Sequence, residues 1–114
     1  MNPTTKPVWA VTPEKIAEAV RRLVEAADPR KIILFGSRAR GDAREDSDLD
    51  LLVVKREVED RVAEIVRLNR VLKGLILPIE LVVISERMFE ELASTPGTVY
   101  FEAKREGEVL YESP

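Results

Sequence analysis

Apolar residues along this chain change their period several times, and each change marks an element. Ile16, Val20, Leu23, Val24 and Ala27 recur at helical spacing behind Thr12-Pro13-Glu14. That tripeptide is a strong helix start, because the Thr side chain can accept from a first-turn amide and Pro needs no amide partner there. Asp28-Pro29 ends the helix. Ile32-Ile33-Leu34-Phe35 is a short continuous run, as in a buried strand, and it stops at Gly36. Gly36-Ser37 then makes a turn, with Ser37 placed to cap a single helical turn through Arg40 before Gly41 breaks it. After a polar loop from Gly41 to Ser47, Asp48 to Val54 reads as a second strand.

The pattern predicts a helix from Glu57 to Lys73, burying Val58, Val62, Ile65 and Leu72 and stopping at Gly74. Ile76 to Ile84 is a third strand. Ser85 caps a helix containing Met88, Phe89 and Leu92, and Thr95-Pro96 starts another that runs through Tyr100 and Ala103 until Gly107. Val109-Leu110-Tyr111 reads as a last short strand. The order predicts an α+β fold, a small mixed sheet packed with helices, in which the helix after the second strand is long enough for a right-handed parallel crossover. Residues 1–11 are expected to be an N-terminal tail and residues 12–114 a single domain, with Trp9, Tyr100 and Phe101 expected in the core or an interface.

Candidate chemistry lies where the second strand begins. In an extended chain residues two apart share a face, so Asp48 and Asp50 would present paired carboxylates while Leu49 and Leu51 point the other way. Two negative charges ~4 Å apart repel by about 4 kcal/mol at a near-surface dielectric of about 20, which calls for a cation between them. Mg²⁺ suits the position, since it takes hard oxygen ligands and keeps coordination sites for phosphates. A parallel crossover would bring Glu80 close to both. Glu80 is the one charge between Leu75 and Ile84, so it must face solvent, a basic partner or a metal. An exposed Glu on an edge strand is the alternative, and Pro78 is compatible with it.

Composition narrows the chemistry further. The chain has 114 residues, long enough for a real core, and no Cys or His, which removes thiol nucleophiles, imidazole bases and their metal sites. Carboxylates must carry any acid-base or metal work. A net charge of −3 argues against strong nucleic-acid binding. No apolar run approaches membrane-spanning length, so no membrane association is expected and the location is expected to be cytoplasmic. Locally, Arg30, Lys31, Arg38, Arg40 and Arg44 precede the acidic Glu45, Asp46, Asp48 and Asp50. This contrast suits a metal-polyphosphate, or equally a solvated loop whose charges pair with one another.

Gly36-Ser37, ten intervening residues, Asp48-Leu49-Asp50 and a third carboxylate one strand later resemble the nucleotidyltransferase core of the DNA polymerase beta superfamily. Within it, Phe35-Gly36-Ser37-Arg38-Ala39-Arg40-Gly41, Ser47 to Leu51 and the ending Ala103 to Tyr111 resemble the minimal nucleotidyltransferases of the MNT or MntA type, over about residues 12 to 112. The resemblance implies that Asp48, Asp50 and Glu80 are catalytic and bind Mg²⁺. Gly36 and Ser37 would hold the phosphates of ATP. Arg38 and Arg40 would either steady phosphate oxygens or pair with Asp42, Glu45 or Asp46. Relatives usually carry Asp where Glu80 stands, and that extra methylene bears on catalytic geometry. Such proteins typically accompany a HEPN-family toxin as its antitoxin and transfer AMP to a tyrosine of that partner. Two alternatives go with this expectation: a binding module that neutralises the partner by occlusion, and a small-molecule nucleotidyltransferase.

Overall fold

A computed structural model describes residue 8, residues 10–44 and residues 47–114. Trp9, Glu45, Asp46 and most of the expected tail lie outside the described residues. Helix α1 spans Pro13–Ala27, and the Lys15 amide donates to the Thr12 hydroxyl at 3.2 Å as the Thr-Pro start requires. Strand β1 (Lys31–Phe35) is followed by the short α2 (Ser37–Arg40), strand β2 (Leu49–Lys55) and helix α3 (Arg61–Val71). Strand β3 (Ile79–Ser85), helices α4 (Glu86–Leu92) and α5 (Val99–Glu106), and strand β4 (Glu108–Glu112) complete the order. Among the described residues no helix is long and apolar enough to cross a membrane.

The four strands lie in the order β3-β2-β1-β4. β1 is antiparallel to both β2 and β4, whereas β2 and β3 run parallel, joined by α3 as the crossover. Both faces of the sheet are covered, which is why β1 and β2 read as unbroken apolar runs rather than alternating ones. Leu49, Leu51 and Val53 pack with Ile32, Leu34, Leu81 and Val83 against Ala19, Leu23, Leu68 and Leu72 of α1, α3 and the α3 end. On the other face Leu52 and Val54 join Ile33, Phe35 and Ile84 beneath Phe89, Ala93 and Ala103. Each fully buried Leu or Ile contributes roughly 1.5–3 kcal/mol by leaving water.

Several details depart from the sequence reading. α3 starts at Arg61, where Asp60 caps the Ala63 amide at 3.1 Å, four residues later than Glu57. Its buried face is therefore set by Leu68 with Ile65, and Val62 is 72% exposed rather than buried. The last helix is capped by Thr98, whose hydroxyl accepts from the Phe101 amide at 3.1 Å, and not by Thr95. Gly97, at φ 90°, breaks the backbone between the two threonines. Ser37 is likewise not a cap: Gly36 occupies that position, and its carbonyl accepts from the Ala39 and Arg40 amides, each at 3.1 Å. The third strand begins at Ile79 rather than Ile76, and Asp48 falls one residue before β2. Ala10, placed in the expected tail, is buried, and its carbonyl accepts from Lys15 Nζ at 2.9 Å.

Candidate active site

Three segments meet where β1 ends and β2 and β3 begin. Phe35 is the last residue of β1 and stands opposite Asp50, which in turn stands opposite Glu80 across the parallel pair. The Leu49 amide donates to the Pro78 carbonyl at 2.7 Å, locking that alignment just before β3 starts. Because Leu49 and Leu51 go into the α1/α3 core, Asp50 must project to the opposite face, towards α4 and α5. Glu80 projects to the same face for the same reason, since Leu81 and Val83 occupy the other.

Gly36 makes the approach to Asp50 possible. It adopts φ 76° and ψ −157°, and a Cβ built there would fall on Asp50 Oδ2 and lie 3.1 Å from its Cγ. Only a residue without a side chain fits this crossing of backbone and carboxylate. The chain then winds through α2 to Gly41, at φ 83°, and Ser47 and Asp48 return it to β2. Arg38 ties that return in place: Nε and Nη2 donate to the Ser47 carbonyl at 3.1 and 2.7 Å. The Arg44 amide donates to the Ser47 hydroxyl at 2.8 Å, which tightens the turn before Asp48.

The electrostatics centre on Asp50. Burial, followed by the charge and hydrogen bond of Glu80 and the charges of Asp48 and Glu102, raises its carboxyl to about 6. The predicted trio is thus brought to one end of the sheet in unequal fashion. Glu80, directly opposite across the parallel pair, acts on Asp50 more strongly than Asp48, which acts through its charge. Glu80 is exposed on an edge strand, as the alternative reading of that residue expects. Among the described residues no three carboxylates stand together as a group able to hold a metal ion.

Arg40 lies at the C-terminal end of α2 and pairs with Asp42 at 3.3 Å and with Glu102 of α5. Structural pairing with Asp42 is therefore realised, whereas Glu45 and Asp46 lie outside the described residues. Glu102 was not singled out in the sequence. Nothing in Val-Tyr-Phe-Glu-Ala marks it as special; its nearness to Asp50 comes from the packing of α5 on β1.

The chain matches the family model described as nucleotidyltransferase domain over residues 13–108. It is 37% identical over 82 residues, 72% of this chain and 78% of the relative, to a Methanocaldococcus jannaschii protein provisionally named a protein adenylyltransferase. A Sulfolobus solfataricus crystal structure, provisionally named a nucleotidyltransferase, superposes with a TM-score of 0.52 at 18% identity, covering 97% of this chain and 93% of the other. A toxin-antitoxin structure solved with AMP-PNP superposes with a TM-score of 0.55 at 20% identity, covering 90% and 75% respectively. At such identities these two speak for the fold alone. The Gly36 crossing over Asp50 and the opposed Asp50 and Glu80 stand within the stretch that the family model matches, along nearly all the domain: the chain belongs to the nucleotidyltransferase domain family.

Proposed function

We propose that this chain transfers AMP from ATP to a hydroxyl group of a partner protein, with a tyrosine of a HEPN-family toxin as the acceptor. The observation that carries the reading is the position of Asp50, opposite Glu80 and directly beneath the Gly36 backbone. Carboxylates beside a glycine turn whose backbone would admit a phosphate support the reading. The donor set is made of hard oxygens, and burial together with the neighbouring charges of Glu80 and Asp48 holds the Asp50 carboxyl above its ordinary range; both properties suit a divalent cation such as Mg²⁺. Asp48, Asp50 and Glu80 would hold it, with triphosphate oxygens as further ligands. When bound, the cation neutralises charge on the triphosphate and on the departing pyrophosphate.

The chain's own groups do the remaining work. Gly36 lets the backbone come close to the phosphates, and the Ser37 hydroxyl donates to them. Arg38 and Arg40 supply positive charge on the same side, and each exchanges a present carbonyl or carboxylate partner for phosphate oxygen. The acceptor hydroxyl oxygen bonds to the α-phosphorus as the bond from that phosphorus to the bridging oxygen breaks, releasing pyrophosphate. Its proton passes to a carboxylate, for which Glu80 is the exposed candidate. The relative named for protein adenylyltransfer and the fold shared with a toxin-antitoxin structure support a protein acceptor.

A second reading, neutralisation by occlusion, is favoured by one observation: Arg38 and Arg40 are already engaged within the chain. One experiment decides. The chain is incubated with α-labelled ATP, Mg²⁺ and its partner, beside the Asp48→Asn and Asp50→Asn variants. Partner labelling that falls about 100-fold or more in both variants supports transfer, since each removes charge that matters at the reacting phosphate. Neutralisation that persists in both variants without any labelling establishes occlusion instead.

A further inference from the structure

The sheet has two edges, and they are treated differently. At the β3 edge the Arg61 guanidinium donates to the Val83 carbonyl at 2.8 Å and to the Tyr100 hydroxyl at 3.1 Å. A cation laid over backbone acceptors in this way discourages pairing with another strand. At the opposite edge no strand lies beyond β4 among the described residues, and Val109 is 50% exposed there. Beside β4 runs a groove of about 790 Å³ between the outer side of α1 and the sheet. Ile16, Val20 and Val24 form one wall, and Leu34, Leu110 and Tyr111 the other. α1 is thus apolar over a wider arc than its packing needs: Ala19, Leu23 and Ala27 are buried in the core, while a second apolar row overhangs the open edge.

The geometry points to the β4 edge and this groove as the docking site for an extended partner segment with alternate apolar residues between basic flanks. The inference rests on the reading that the acceptor is a protein, and it names the surface by which that protein is held. An added strand would continue the sheet beyond β4, with every second side chain entering the groove beneath α1. The flanks follow from charge. β4 begins with the exposed Glu108 and ends with Glu112, which Lys31 meets at 3.5 Å, and Glu25 stands on the α1 wall. Among the residues lining the groove the one cation is Arg21, and it is held by Glu18 at 2.8 Å and Glu25 at 3.1 Å. A second copy of the chain fits poorly, because full two-fold antiparallel pairing about Leu110 sets Glu108 directly opposite Glu112. The same acidic ends repel a phosphate backbone.

The test is to pan a random dodecapeptide phage library against the immobilised full chain. Expected are sequences with alternating apolar residues and Lys or Arg at the flanks. Their binding should weaken about tenfold in Val20→Glu, as removal of a hydrophobic anchor site does, and in Glu108→Lys, where acidic flanks should become preferred. Glu108 is exposed, so its variant keeps the test valid should Val20→Glu fail to fold. Enrichment of acidic or helix-periodic sequences, no enrichment, or binding indifferent to both variants would overturn the inference. So would sedimentation equilibrium showing a dimer that Val20→Glu dissolves. Labelling of the partner from ATP separates the two levels: undiminished labelling in both variants removes the docking surface and leaves transfer standing, whereas peptide binding without labelling in the wild type does the reverse.

Discussion

Asp50 carries opposing demands within one carboxylate. Its folded-state carboxyl is raised to about 6 from an ordinary 3.8, mainly by burial and then by Glu80, so the folded chain binds that proton more tightly than the unfolded chain. Ionisation therefore costs stability. The cost is absent below the unfolded value, grows between about 4 and 6, and is complete above 6. Asp50→Asn, which keeps a hydrogen-bonding partner for Glu80 without the charge, should unfold at a higher temperature than wild type at pH 7.5. The difference should vanish near pH 3.5. Thermal unfolding at both pH values checks this, and equal midpoints at pH 7.5 would contradict it. On the proposed reading the same substitution abolishes transfer, so stability and activity move in opposite directions at this residue.

Asp48, Asp50 and Glu80 were visible in the sequence because apolar neighbours fixed which way they could point. Leu49 and Leu51 leave Asp50 a single face, and the crossover sets Glu80 beside it. Glu102 was not visible, because it approaches Asp50 through the packing of a separate helix, for which no local spacing exists. Arg38 was legible as a charge near the site but not as the group that pins the loop. Its bonds go to the backbone carbonyls of Ser47 and Arg44, and a carbonyl carries no sequence signature.

At the scale of elements, caps were read well where chemistry was unambiguous and displaced where two similar signals stood close together. Thr12 and Ser85 cap as expected, accepting from the Lys15 and Met88 amides, each at 3.2 Å. Thr95 and Thr98 competed for one helix, and the positive φ of Gly97 settled it for Thr98. Thr98→Ala should accordingly cost about 1 kcal/mol of stability, while Thr95→Ala, which removes no cap, should cost less than half of that. Urea unfolding of the two variants gives the comparison. The starting point of α3 escaped the sequence for a related reason. Glu57, Glu59 and Asp60 all favour a first turn, and Val58 and Val62 mimic a helical stripe. Asp60 is the residue whose side chain reaches the Ala63 amide, so Val62 turns outward.

For the whole molecule, one sheet divides two cores that a single strand serves at once. Leu51 packs towards α1 and α3, and the next residue, Leu52, towards α4 and α5. Truncating either should destabilise by about 2–5 kcal/mol through lost burial and an unfilled cavity. Both variants should still unfold in a single transition, because β2 cannot release one face and retain the other. Coincident fluorescence and circular dichroism curves would confirm this; separate transitions would show that the layers melt independently. A small mixed sheet packed with helices was legible in the order of elements, whereas the division of the helices between its two faces and the groove under α1 were not. Ile16, Val20 and Val24 look identical in sequence to core positions, and only the width of the sheet beneath the helix leaves them half covered.

Pairing of Asp50 with Glu80 has an additional consequence for how this molecule is proofread as it forms. Thirty positions of chain separate the two, and the Leu49 to Pro78 bond is the pin that aligns them. A misalignment by one position would do more than part the carboxylates: it would turn Glu80 inward among the leucines of the α1/α3 layer, with no counter-charge to receive it. The misaligned molecule would thus be the unstable one, so any copy that survives folding arrives with its two central acids already in place.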